Sequence, residues 1–222
     1  MRARVWWSME NRHRARLVIA DDHILLAEAC KNLLEPEFQV LAIVDNGRDL
    51  IRVAGELRPD AVVLDISMPQ LNGLSAAEQL KHMLPSCKLI FVTMNTAPDV
   101  AAEAFRRGAS AYVVKSSPAN ELVNAIRRAL RSESYLSPAI TKDTVDFLLR
   151  SRTSLGTEVR LTKRQSEILQ LLAEGMSMKE IASVLNVKPG TVAFHKYNLM
   201  QVLGVKNNAA LLQYAIKHHL IS

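Results

Sequence analysis

The chain is 222 residues long, 49% hydrophobic and 23% charged, with a formal net charge of +6, which suits one large globular domain or two small ones. No uninterrupted apolar run approaches the roughly 18 residues of a membrane span, and the N-terminus carries no signal-peptide hydrophobic region, so no membrane partner is expected and the cytoplasm is the expected location. Cys30 and Cys87 are too few and too isolated for a disulfide framework or a zinc site. They read as reduced, structural thiols, with Cys30 sharing an apolar helical face with Leu26, Ala29 and Leu33.

Residues 1–16 hold five arginines, one glutamate and the pair Trp6-Trp7 without helical or strand periodicity. This composition predicts a disordered basic leader or an extension upstream of a true start at Met9, with a functional basic arm as the other reading. From Leu17 the pattern alternates, with strands over 17–20, 38–44, 61–65, 88–93 and 111–114 and helices near 23–35, 48–57, 73–83, 98–107 and 119–132. Five βα units within residues 17–132 predict an α/β doubly wound domain with a five-stranded parallel sheet, because parallel neighbours need crossover helices.

Residues 133–160 carry Ser134, Ser137, Pro138, Ser151, Thr153, Ser154 and Gly156, linker chemistry with one short helix over 139–149. From Leu161 to the end the pattern is all helical: 163–173, 177–185, 189–203 and 207–219. Gly175 and Gly204 stand where helices end, and Pro189 is tolerated in a first turn. The tight connection at Asn186-Val187-Lys188 makes the second and third helices a helix-turn-helix candidate. Charge divides with the pattern. Residues 17–130 hold eleven basic against fourteen acidic side chains and residues 156–222 eight against four, as expected for a metal- or phosphate-handling unit joined to one that meets a polyanion.

In the first unit, the apolar run Ala61 to Leu64 stops at Asp65. A carboxylate at the carboxyl end of a buried parallel strand lies where open α/β sheets bind ligands. The other strands end in Asp21-Asp22, Thr93 and Lys115, which would bring three carboxylates, a hydroxyl and an ammonium to one rim. Such carboxylates repel unless a cation sits among them, and Mg²⁺ suits oxygen donors. A carboxylate beside Mg²⁺ can take a phosphoryl group in line, with Thr93 and Lys115 as fixed partners for the new charge. The bland reading makes Asp22 a helix N-cap, Thr93 strand filler and Lys115 a solvated strand end.

These residues carry a resemblance. Asp21-Asp22, Asp65 followed by Met68-Pro69 and Gly73, then Thr93, Tyr112 and Lys115 make residues 17–132 similar to a response-regulator receiver domain of flavodoxin-like fold. The resemblance implies Asp65 as phosphoacceptor and a sensor histidine kinase as donor. It implies Mg²⁺ held by Asp22 and Asp65, with Asp21 assisting and the backbone carbonyl of Ser67 as a further ligand. It also implies Thr93 and Tyr112 as a switch pair and Lys115 as the phosphate-contacting cation. Ser67 and Asn95 stand at positions that tune phosphoryl lifetime. Phosphatases that use an aspartyl-phosphate want Asp-x-Asp, and Ser67 in the second position cannot act as a general acid or base near neutral pH; an enzyme is therefore not expected.

In the second unit, Ile168, Leu169, Leu172, Ile181, Val184, Leu185, Val192, Leu199, Val202 and Leu203 supply a small core and leave residues 188–198 to enter a major groove. Leu161-Thr162, Arg164, Glu167, Gly175, Lys179-Glu180-Ile181-Ala182, Thr191-Val192, His195 and Leu203-Gly204-Val205 resemble the LuxR-type helix-turn-helix. With a receiver in front, the chain resembles the NarL/FixJ architecture. The resemblance implies a transcription regulator of double-stranded DNA, with Lys179 on phosphates and Lys188, Thr191, Ala193, Phe194, His195, Lys196 and Asn198 as recognition-helix positions. His195 could equally be a satisfied structural histidine and Phe194 partly core. Ala193 replaces a usual lysine, Tyr197 another common cation and Gln165 a usual glutamate. A homodimer is expected on activation, with Leu211, Leu212 and Ala215 as an apolar stripe on the last helix. A regulator whose output is protein binding is the rival reading, separated by a DNA footprint.

Overall fold

The computed structural model describes residues 14–140 and 161–217. The leader expected over 1–16 and the linker helix expected over 139–149 lie almost wholly outside them. In the first part, strands β1 (Arg16–Ala20), β2 (Gln39–Val44), β3 (Ala61–Leu64), β4 (Lys88–Thr93) and β5 (Ala111–Val114) alternate with helices α1 (Ile24–Leu34), α2 (Gly47–Leu57), α3 (Gly73–Met83), α4 (Pro98–Arg106) and α5 (Ala119–Leu130). All pairings are parallel, and the sheet order is β2-β1-β3-β4-β5, with a short sixth strand, β6 (Tyr135–Leu136), on the outer edge of β5. The order reverses between β1 and β3, the switch point at which open parallel sheets bind ligands, so Asp21 and Asp65 flank the crevice.

The strands are apolar on both sides because helices cover both faces. Period-two alternation sends Val18, Val62, Leu64, Leu89, Phe91 and Tyr112 to one core and Leu17, Ile19, Val63, Ile90, Val92 and Val113 to the other. Each fully buried Val, Leu, Ile or Phe contributes about 1.5–3 kcal/mol. Asn46 and Asn72 cap α2 and α3 by accepting the N–H groups of Asp49 and Ser75 at 2.9 and 2.8 Å, each worth about 1 kcal/mol. Helix α1 has no such cap: its N-cap is His23, whose side chain makes no cap bond, so Asp22 is free of the capping task. Helix α1 also buries Ala27 and Leu34 while Ala29 is exposed; its inner face is rotated from the Leu26-Ala29-Cys30-Leu33 face expected.

The sheet has six strands, not five. Strand β6 (Tyr135–Leu136) pairs parallel to β5 inside the segment expected as linker. Tyr135 N–H donates to Ser110 O at 3.1 Å and Ser137 N–H to Tyr112 O at 2.9 Å, while the Arg128 guanidinium sits 5.5 Å over the Tyr135 ring. Two residues carry no periodicity; the open edge of β5 recruits them.

The second part consists of α6 (Lys163–Ala173), α7 (Met178–Val184), α8 (Pro189–Leu203) and α9 (Asn208–Lys217). Reciprocal capping boxes open α6 (Thr162 and Gln165) and α7 (Ser177 and Glu180). Gly204 ends α8 at φ +66°, in the left-handed region that favours glycine. Ile168, Leu171, Ile181, Leu185 and Val192 pack as one cluster, and Leu169, Leu199, Leu211 and Ala215 as another. Two expectations are corrected by this packing. Val202 is 46% exposed; beyond Leu199 the side of α8 that packs inward is carried by Leu203 instead. Leu211 and Ala215 are buried against α6 and α8, so the exposed apolar positions of α9 are Leu212 and Ile216. Among the described residues, no helix is long and apolar enough to cross a membrane.

Candidate functional site

The rim at the carboxyl ends of β1, β3, β4 and β5 gathers the residues anticipated there. Asp65 is 4% exposed because the chain leaves β3 under the α3 N-terminus: Asp65 N–H donates to Ala20 O at 2.9 Å, and Asp65 Oδ1 accepts the Ile66 N–H at 2.7 Å. Lys115 Nζ lies 2.8 Å from Asp65 Oδ2 and 2.8 Å from Asp21 Oδ2. Its side chain is only 5% exposed, which overturns the reading of a solvated strand end. Burial raises the Asp65 carboxyl above the usual carboxylate range, against the pull of the Lys115 ammonium and the Ile66 N–H. Burial works against the Lys115 charge, yet its bonds to Asp21 and Asp65 carry its pKa above the ordinary lysine value.

Ligand atoms of Asp21, Asp22, His23 and Asp65 lie within 4.8 Å of one another. His23 Nδ1 is 2.9 Å from Asp22 Oδ1 and 3.3 Å from Asp21 Oδ1, and its backbone N–H donates to Asp21 Oδ1 at 2.9 Å. Three carboxylates converging on one crevice form a hard oxygen donor set, the kind that fits Mg²⁺. Ser67 follows in the loop from β3 to α3. That loop closes tightly, since a Cβ on Gly73 would stand 2.0 Å from the Asp65 carbonyl oxygen.

Thr93 is buried at the end of β4, its Oγ1 accepting the Asn95 N–H at 3.2 Å. Tyr112 is fully buried, packs against Phe91 at 6.3 Å between ring centroids and donates its hydroxyl to Asn95 O at 3.0 Å. Burial above all, then the Asp65 charge, pushes the phenol pKa far up, so Tyr112 acts only as a neutral donor. Thr93 and Tyr112 thus meet at one residue, Asn95, beside the acidic rim.

In the helical part, α8 is exposed along Ala193, Phe194, Tyr197 and Gln201, with Lys188, Thr191 and Lys179 exposed nearby and His195, Lys196 and Asn198 half-buried. Phe194 is 62% exposed, so it belongs to the surface and not to the core, and it meets the His195 ring edge-on at 5.7 Å. Tyr197 and Gln201 join this face through a 2.8 Å bond from Gln201 Nε2 to the Tyr197 hydroxyl. Tyr197 was noted from sequence as replacing a common cation; Gln201 was not, although helical spacing from Phe194 and Tyr197 points to it.

The two parts touch through residues that, Glu167 and Met68 apart, the sequence did not single out. Gln170 on α6 donates from Nε2 to Met68 O at 2.9 Å and accepts at Oε1 from the Asn72 N–H at 2.7 Å. Glu174 Oε1 accepts the Gln70 N–H at 3.0 Å and a second bond from Gln170 Nε2 at 2.8 Å. Arg48 Nη2 lies 3.8 Å from Glu167 Oε2.

An acid-and-lysine rim on a doubly wound sheet, followed by a four-helix unit with an exposed third helix, defines a phosphorylation-controlled DNA-binding regulator. Residues 17–127 match the response regulator receiver domain, and residues 159–215 match bacterial regulatory proteins of the luxR family. The chain belongs to the NarL/FixJ-type response regulators, two-component transcription regulators. It is 31% identical over 214 residues to the oxygen regulatory protein NreC of Staphylococcus carnosus, covering 93% of this chain and 99% of that one. It is 29% identical over 216 residues to the transcriptional regulatory protein MctR of Rhizobium johnstonii, covering 96% and 99%. Among solved structures it is similar to RcsB of Salmonella typhimurium, at 27% identity and TM-score 0.60 over 91% of this chain and 97% of that one. It also matches RcsB of Salmonella enterica serovar Typhimurium bound to the promoter P1flhDC in the presence of the phosphomimetic BeF3-, at 28% identity and TM-score 0.59 over 90% and 98%. These relatives are regulators, not enzymes.

Proposed function

We propose that this protein works in the cytoplasm, that residues 17–132 are a receiver whose Asp65 accepts a phosphoryl group from a sensor histidine kinase, and that residues 161–222 bind double-stranded DNA, as a homodimer when activated. The observation that carries this is Lys115 held between the Asp21 and Asp65 carboxylates at the switch point of the sheet. An Asp65 carboxylate oxygen attacks phosphorus, the P–N bond to the donor imidazole breaks as the P–O bond of the acyl phosphate forms, and the freed imidazole takes a proton. Asp21, Asp22 and Asp65, with the Ser67 carbonyl, would hold Mg²⁺, which supplies charge neutralisation for the phosphoryl oxygens. Lys115 binds one of those oxygens, and Thr93 and Tyr112 change partners as the new charge appears.

The deciding experiment is a footprint on the protein's own promoter region with and without a small-molecule phosphodonor and Mg²⁺. Protection strengthened by the phosphodonor is expected, and no protection in either state would sink the DNA-binding reading. Thr93→Ala and Lys115→Ala are expected to uncouple DNA affinity from phosphorylation, since a ligand moves a population only by its differential contacts with the two states; coupling unchanged in both variants would contradict the assigned roles.

On α8, Ala193 is exposed, so Ala193→Lys adds a cation without disturbing the core, at a cost of a few tenths of a kcal/mol in helix propensity. If the residue lies near a phosphate, log affinity against log salt should steepen by about 0.9. If it packs on a thymine methyl, preference at one base pair should relax by about 1–3 kcal/mol instead. Fluorescence anisotropy at several salt concentrations reads both, and an unchanged slope and preference would place residue 193 off the DNA.

A further inference from the structure

Helix α8 is the second helix of the helix-turn-helix, and packing settles its inner side: Val192 and Leu199 are buried, and Leu203 packs in the same cluster as Leu199. The 3.6-residue repeat then places Gly190, Phe194, Tyr197 and Gln201 along the opposite side, and all four are exposed. Phe194 and Tyr197 are each 62% exposed. Scattered apolar side chains in water need no explanation, but two neighbouring rings of this size mark a surface that meets something. Both rings are braced. Phe194 meets the His195 ring edge-on at 5.7 Å, and the Tyr197 hydroxyl accepts from Gln201 Nε2 at 2.8 Å.

No exposed residue of α8 is charged. Lys196 is half-buried one turn after Val192, and the exposed cations nearby, Lys179 on α7 and Lys188 just before α8, lie outside the helix. In a major groove, guanine is read by Arg or Lys, the amino group of cytosine by Asp or Glu, adenine by Asn or Gln, and thymine through apolar contact with its C5 methyl. The first two kinds of reader are missing from the outer side of α8. Its amide, Gln201, is engaged by Tyr197 and lies more than three turns in, whereas the N-terminal residues of a recognition helix are those that meet base edges. Phe194, in the second turn, leaves the methyl as its target.

We propose that Phe194 makes α8 a reader of the 5-methyl group of pyrimidines, so that the base pair under its ring carries thymine, or 5-methylcytosine, whose methyl stands at the same place in the groove. The proposal rests on residues 161–222 binding DNA and names the base chemistry that they select. Lys179 and Lys188 serve as phosphate partners, which fix register and carry no sequence information. Contact between ring and methyl takes apolar surface of both out of water. Uracil and unmethylated cytosine lack the group and leave the ring face without a partner.

Selection from a random-sequence duplex library by the full chain, with acetyl phosphate and Mg²⁺ present, tests this. Wild type and Phe194→Ala are expected to enrich the same flanking bases and to differ at one pair of each half-site, which is thymine in the wild-type selection and indifferent in the variant. At that pair, replacing thymine by deoxyuridine should weaken wild-type binding about fourfold per methyl, and replacing cytosine by 5-methylcytosine should strengthen it by the same factor. Phe194→Ala should show neither effect. The deoxyuridine comparison is made on the wild type, so it decides the matter even where the variant binds poorly. Wild-type affinity that ignores the methyl in either comparison overturns the proposal and leaves DNA binding in place, as does a methyl effect that persists in Phe194→Ala. No enrichment of any sequence removes the DNA-binding reading and this proposal with it.

Discussion

Asp65→Asn is expected to abolish incorporation of phosphate from a small-molecule phosphodonor with Mg²⁺, as read by intact-protein mass spectrometry. The amide cannot attack phosphorus, and no other carboxylate has its position: Asp21 shares Lys115 with it, but on the neighbouring strand. The fold should survive the change. Removing one partner of a buried ion pair commonly costs about 3–5 kcal/mol because the other charge is stranded. Here Lys115 keeps Asp21 at 2.8 Å, and the burial that raises the Asp65 pKa shows that its charge is itself unfavourably solvated. A net change within about 1 kcal/mol is therefore expected, and urea denaturation checks it. Labelling that persists in Asp65→Asn would end the receiver reading.

Gly73→Ala should be strongly destabilising, as should Gly47→Ala, whose Cβ would stand 2.0 Å from the Leu71 carbonyl oxygen. A Cβ on Gly73 would stand 2.0 Å from the Asp65 carbonyl oxygen and 3.0 Å from the Ile66 Cα, backbone atoms that no rotamer change can move aside. At an unconstrained helical position, Gly→Ala gains about 0.4–1 kcal/mol through the unfolded chain. The clash must override that gain, so a loss of about 3 kcal/mol is expected, or roughly 6–12 °C in melting temperature for a chain of this size. Gly190→Ala is the control. Nothing lies within 4 Å of its Cβ, so stability should be unchanged or slightly higher. A Gly73→Ala protein as stable as the wild type would mean that the loop does not close on Asp65 as described.

Periodicity and strand-end chemistry were enough to locate ten elements of the first unit, the four helices of the second and the acidic rim, because each is a local property. A strand buried on both faces must be apolar throughout, and the first polar residue after it must lie at the sheet's edge. Asp21, Asp65, Thr93 and Lys115 come together for that reason. Pairings between distant segments were out of reach. Strand β6 forms because β5 has an open edge, and Tyr135 and Leu136 show no pattern of their own. Gln170 and Glu174 look like solvated helix positions until the Met68–Asn72 loop supplies unpaired backbone groups to bind them. Val202 reads as core, and Leu212 is as apolar as Leu211, yet Val202 and Leu212 are exposed and Leu211 is buried. Periodicity shows only that a helix has an apolar side; the crossing of α6, α8 and α9 selects which residues of that side meet a neighbour, and that crossing belongs to the packed tertiary structure alone.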